Sequence, residues 1–124
     1  MAKAPLFRFL LDGRYKPANT EVIVMGDFNT GLHRIDENGS SFFCADLFSL
    51  LPDAGLFDSW RSRNPEERVF SWYSNVGNGF RIDHVFSNPS ADSKIERVYY
   101  DHTPRETGIT DHSAMVVEYS ENND

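Results

Sequence analysis

One run leaves this chain little choice of local structure: Glu21-Val22-Ile23-Val24-Met25, β-branched at its centre, halted by Gly26. Branching at Cβ restricts χ1 and suits a pleated backbone better than a helix, so the segment reads as a buried strand ending at Gly26. Just beyond it, Asp27 and Asn29 share a face of an extended backbone while Phe28 points the other way. Two polar groups thus project past the end of a strand, where open α/β sheets tend to hold their sites. An Asp-x-Asn turn would look the same, and taken alone that is the simpler explanation.

The remaining elements follow from periodicity and punctuation. Leu6, Phe7, Phe9, Leu10 and Leu11 crowd together before Asp12-Gly13 and predict a short helix within residues 5 to 16. Thr30 to Ser41 has loop composition, and Phe43, Leu47, Leu50 and Leu51 fall at helical spacing, with Phe42 and Phe48 widening the face, until Pro52 and Gly55 stop the run. Arg61 to Arg68, interrupted by Pro65, reads as a connector. A strand meander closes the chain: Val69 to Tyr73, Phe80 to Ser87, Ile95 to Asp101 and Ser113 to Tyr119, with turns at Asn75 to Gly79 and Asn88-Pro89. Strands following an αβα opening imply an α/β fold with a mixed sheet of about five or six strands and helices on one face.

The chain's 124 residues suit a single domain spanning 1–124, and 40% hydrophobic with 14% aromatic residues is enough for a core. A formal charge of -7 disfavours a nonspecific coat of nucleic acid, yet leaves room for a carboxylate site whose local field a bound cation inverts. The single cysteine, Cys44, excludes an internal disulfide and fits a reducing cytoplasm; no apolar run is long enough to span a membrane. Cys44 reads as a small buried residue, and His33 and His102 as surface histidines.

Two further motifs keep company with Asp27 and Asn29. In Arg81-Ile82-Asp83-His84-Val85-Phe86, alternation sets Ile82, His84 and Phe86 against Arg81, Asp83 and Val85. A carboxylate within so apolar a strand needs a partner. Arg81 or Arg97 is one choice. Thr110-Asp111-His112 opens the last strand behind a Gly108-Ile109 loop that can place both polar groups at a sheet edge.

Together, Gly26-Asp27-Phe28-Asn29, Arg81-Ile82-Asp83-His84 and Thr110-Asp111-His112 resemble, in kind and order, the endonuclease/exonuclease/phosphatase family, the magnesium enzymes that include exonuclease III, apurinic endonucleases and DNase I-like nucleases. Phe70-Ser71-Trp72 and Ala54-Gly55-Leu56-Phe57-Asp58-Ser59-Trp60 also look like segments of that family. The resemblance covers only the C-terminal half of its four-layer α/β/β/α fold. It implies a Mg²⁺- or Mn²⁺-dependent phosphodiesterase in which Asp83 pairs with His112. Asp111 and Asp27 would bind the metal, Asp27 either orienting the attacking water or assisting the leaving group. Asn29 and His112 would contact water or phosphate, and Trp72 would stack on a sugar or base unless it is a core ring. His84 stands where relatives often carry an aromatic or aliphatic residue and reads as structural.

In complete members a first half supplies an Asn and a metal-binding Glu, and nothing before Glu21 resembles those segments. A half-fold is expected to expose a sheet face, carrying Val22, Val24 and alternate residues of later strands, that a second copy or a partner chain would cover. Three readings follow: a nuclease-like half-domain acting on DNA or another phosphodiester, a vestigial site on an interaction module, or a phosphomonoesterase or lipid phosphodiesterase of the same family.

Overall fold

The computed structural model describes residues 4–13, 20–32, 35–37 and 45–121. Its organising element is β5 (Asp83–Ser87), buried along its whole length. β1 (Ile23–Asp27) and β2 (Phe57–Asp58) flank it, both antiparallel, with Asp27 opposite Asp83 and Ile23 opposite Ser87. A short ribbon of β3 (Trp72–Tyr73) with β4 (Gly79–Phe80) and a longer hairpin of β6 (Ile95–Asp101) with β7 (Ala114–Tyr119) complete the ladders.

Each face of the three-stranded sheet is covered by different elements. On one, Phe86 and Phe28 pack with Phe7 and Leu10 of α1 (Ala4–Asp12), Phe48 of α2 (Ala45–Phe48), Leu51 of the 3₁₀ turn Leu51–Ala54, and Leu56. Phe7 and Leu10 lie three apart, so one stripe of α1 meets the sheet. The helix stops at Gly13, whose N–H donates to Leu10 O at 3.2 Å and whose φ of 72° turns the chain out of the helical path. Phe28, 5.5 Å from Phe86 and 6.2 Å from Phe48 between ring centres, is the hub of this cluster. Its truncation to alanine would cost about 3–5 kcal/mol.

On the other face, Val85 meets Trp60 of α3 (Ser59–Arg63) and Ile95 and Val98 of β6, with Ile23, Met115 and Val117 at the margin. The β6–β7 hairpin therefore lies over the sheet instead of extending it. Buried charges brace this layer: Arg81 Nε donates to Asp36 Oδ1 at 2.6 Å and its Nη2 to Asp58 Oδ2 at 2.5 Å. Asp58 also caps α3, accepting from Arg61 N at 3.0 Å.

The α/β class and the helix before β1 match the sequence reading; the strand arrangement differs. Instead of one mixed sheet, the described residues form three antiparallel sheets of three, two and two strands. The strand predicted as buried, β1, is half-buried to exposed because it lies at a sheet edge, and β5 takes the central place. Phe80 to Ser87 is two strands. The ladder breaks at Arg81, whose N–H turns to Asp36 O at 2.6 Å, and at Ile82, whose carbonyl receives Phe28 N–H at 2.8 Å. The start of the Arg61 to Arg68 connector belongs to α3, and Asn88-Pro89 opens α4 (Pro89–Asp92), Asn88 Oδ1 accepting from Ala91 N at 3.0 Å. Val22 and Val24 do not lie on an open face: both pack against the α1 cluster. The calls at His33, Phe42, Phe43 and Cys44 lie outside the described residues.

Candidate active site

Alternation along β1 puts Asp27 on the face of Ile23 and Met25, and alternation along β5 puts Asp83 on the face of Val85. Register then sets the two carboxylates directly opposite one another at the end of the ladder. Like charges so placed repel, and the arrangement needs a cation between or beside them. His112 is one: its Nδ1 lies 2.7 Å from Asp83 Oδ2. Ligand atoms of Asp27, Asp83 and His112 all fall within 4.8 Å of one another.

The bland pairing of Asp83 with Arg81 does not occur, since that guanidinium is consumed by Asp36 and Asp58. Arg97 instead meets Glu118 at 3.1 Å. Burial raises the Asp83 pKa, with the charge of Asp27 adding to it against the hydrogen bonds from His112 and Ser71. Burial alone would lower that of His112, but the hydrogen bond and charge of Asp83, with Asp27 and Asp111 nearby, raise it. The pair therefore holds a proton firmly, and the imidazolium is favoured.

Asp111 is exposed beside this centre, its Oδ1 3.9 Å from His112 Nε2 and its Oδ2 accepting from Trp72 Nε1 at 3.3 Å. Trp72 is half-buried, its ring 5.6 Å from Phe80 and 6.5 Å from His112 between centres. It is thus an orienting donor to Asp111 as well as a packed ring. Asn29 has φ 56°, and its N–H donates to Asp27 Oδ1 at 2.8 Å. The Asp/Asn turn and the shared site are one structure here: the turn fixes the Asp27 carboxylate, and Phe28 between them is buried.

Two residues not singled out by the sequence reading position the centre. Ser71 Oγ accepts from Asp83 N at 3.3 Å and Ile82 N at 3.1 Å, while Ser71 O accepts from Ser113 N at 2.8 Å, so one residue holds both the Asp83 and the His112 segments. Tyr100 Oη donates to Asp83 O at 2.6 Å. Ser71 lies inside the Phe70-Ser71-Trp72 motif, which was its only signal; Tyr100 had none. His84 is fully buried against Phe28 and Phe48, with Nε2 2.6 Å from Thr30 O, and burial lowers its pKa to about 4. It is structural.

The donor set suits a divalent cation. Two facing carboxylates need positive charge, and oxygen ligands at an exposed rim match ions that retain several waters. The group whose ligand atoms lie close enough to share an ion is Asp27, Asp83 and His112; Asp111, beside it, is not one of the three.

Paired acids and an Asp-braced histidine thus stand together at the rim of the sheet. Residues 2–112 match the Endonuclease/Exonuclease/phosphatase family, and the chain belongs to it. A 3′ phosphatase from Neisseria bound to a product DNA hairpin is similar in structure, with TM-score 0.77 and 25% identity over 95% of this chain and 51% of that one. An AP endonuclease from Archaeoglobus fulgidus superposes with TM-score 0.79 at 20% identity, covering 96% and 52%, and one from Leishmania major with 0.75 at 16%, covering 98% and 43%. The chain thus spans about half the length of these structures. No curated protein sequence matches it.

Proposed function

We propose that the chain is the half of a DNA phosphodiesterase that carries the paired acids and the histidine, acting with Mg²⁺ or Mn²⁺. The observation that supports this best is the meeting of Asp27, Asp83 and His112 from three separate segments. The DNA hairpin on the Neisseria 3′ phosphatase favours DNA over lipid or small phosphoesters as substrate.

In this reading Asp111 and Asp27 would hold the cation, which would supply positive charge to offset that of the phosphate and make a nearby water more acidic. Asp83 orients the His112 imidazolium through Nδ1, so that Nε2–H is free to donate to a non-bridging phosphate oxygen. Asp27, set by the Asn29 turn, orients the attacking water or assists the leaving oxygen, and Asn29 contacts water or phosphate. The experiment is plasmid nicking with Mg²⁺ or Mn²⁺ by the purified chain. Nicking that Asp27→Ala abolishes supports the reading; nicking unchanged by it rejects the assignment.

A second reading, an interaction module, draws on one observation. Met25 and Tyr119 lie on the faces that meet at Val85, yet are 48% and 39% exposed. This apolar rim, and not the Val22 side, is where a second copy or partner chain would sit. Light scattering that finds only monomer at micromolar concentration removes the homodimer.

A further inference from the structure

Beside the acid–histidine centre the surface opens into a cleft of about 530 Å³ lined by Tyr73, Arg105, Gly108, Thr110 and Asp111. Asp111 belongs to both, so anything lying across His112 runs on into this cleft. Its walls come from the β3–β4 ribbon and from α5 (Thr103–Glu106) with the loop after it.

Arg105 differs from five of the described cations in the sheet and helices. Arg63, Lys94 and Arg97 are matched by Asp92, Glu21 and Glu118, and Arg61 and Arg81 share Asp36. Among the described residues, no carboxylate lies at salt-bridge distance from Arg105. Its Nε donates to Ser113 Oγ at 3.1 Å, its Nη2 lies 3.4 Å from His102 Nδ1, and its guanidinium sits 4.9 Å from the centre of the Tyr73 ring. Ser113 in turn is 2.6 Å from His102 Nδ1 and is buried. The guanidinium is thereby aimed without being neutralised, the state in which arginine binds phosphate best. In a chain of net charge -7, such a cation at the mouth of a phosphodiester site is a specific provision. Tyr73, 43% exposed, adds a flat apolar surface beside it.

We infer that Arg105 and Tyr73 form a subsite for the nucleotide adjoining the scissile bond, Arg105 holding the flanking phosphate and Tyr73 the sugar or base. The inference rests on the phosphodiesterase reading and deepens it: the site is built for a polynucleotide strand, because a small-molecule phosphomonoester or a lipid diester brings no second phosphate to Arg105.

The test is a charge-by-charge cycle. A labelled single-stranded oligonucleotide, and versions in which one phosphate at a time is a neutral methylphosphonate, are titrated against the Asp27→Asn chain with Mn²⁺, so that the probe stays whole. One neutralised position should weaken binding about tenfold, and that loss should vanish when Arg105→Gln is added, with the salt slope of binding reduced by about 1. Arg105→Lys should recover much of the affinity. An unchanged loss at every position in Arg105→Gln overturns the subsite. If Arg105→Gln fails to fold, the scan on the Arg105 protein decides, and no position standing out overturns it too. Coupling to Arg105 without cleavage by the wild-type chain keeps the subsite and removes the phosphodiesterase reading; cleavage without coupling does the reverse.

Discussion

His112 Nδ1 meets Asp83 Oδ2 at 2.7 Å across 29 residues of chain. The contact joins the loop before β7 to the first residue of β5, and makes one functional unit of an acid and an imidazole that the sequence keeps apart. Groups that act as a unit lose function non-additively. His112→Ala and Asp83→Asn should each slow DNA nicking by about 10²–10³-fold, and the double variant should be hardly slower than either. Single-turnover rates check this; losses that multiply would show that the two act separately.

Asp27 and Asp111 are assigned to the cation, Asp83 to the histidine. Calorimetric titration with Mn²⁺ should show binding that weakens at least tenfold in Asp27→Ala or Asp111→Ala, and a chelator should stop nicking. Heats identical in wild type and both variants would remove these carboxylates as ligands.

Stability should fall in acid on account of His84. Burial depresses its folded pKa from 6.5 to about 4, so the unfolded chain binds the extra proton first as pH drops. Its contribution is complete above pH 6.5, is lost as pH falls from there towards 4, and amounts to on the order of 3 kcal/mol. Urea denaturation across that window should show the loss, and His84→Leu, whatever its absolute stability, should flatten that segment of the curve. The same slope in both proteins would place the acid sensitivity elsewhere.

Arg81 is wholly buried between Asp36 and Asp58. Arg81→Met would leave Asp36 with Arg61 as its one guanidinium and Asp58 with none, and should cost about 3–5 kcal/mol in denaturant titrations. A cost below 1 kcal/mol would mean that water already reaches the cluster.

How much of this could be read beforehand depends on the range of the forces involved. The helix over Leu6 to Leu11 and the strand into Gly26 are set by neighbours in sequence and were legible, as was the sorting of Phe86 from Val85 by alternation. The burial of β1 was misjudged because Val and Ile report strand propensity without telling an edge from a centre. The break at Arg81 was hidden, since its cause, the Asp36 carbonyl and carboxylate, lies 45 residues away. In the site, Asp27, Asp83 and His112 stood out by their company. Tyr100 did not, because a tyrosine that supports a backbone carbonyl looks like any other tyrosine in a strand.

The register of β1 on β5 ties chemical competence to oil-and-water sorting. Sliding one strand by a single residue would swing Asp27 under α1 and Val24 out over the hairpin, which the greasy interior forbids. Mutational drift in Val22, Ile23, Val24 or Phe86 can therefore disarm the molecule without touching a single polar atom, by letting the ladder settle one notch away from where its acids can meet.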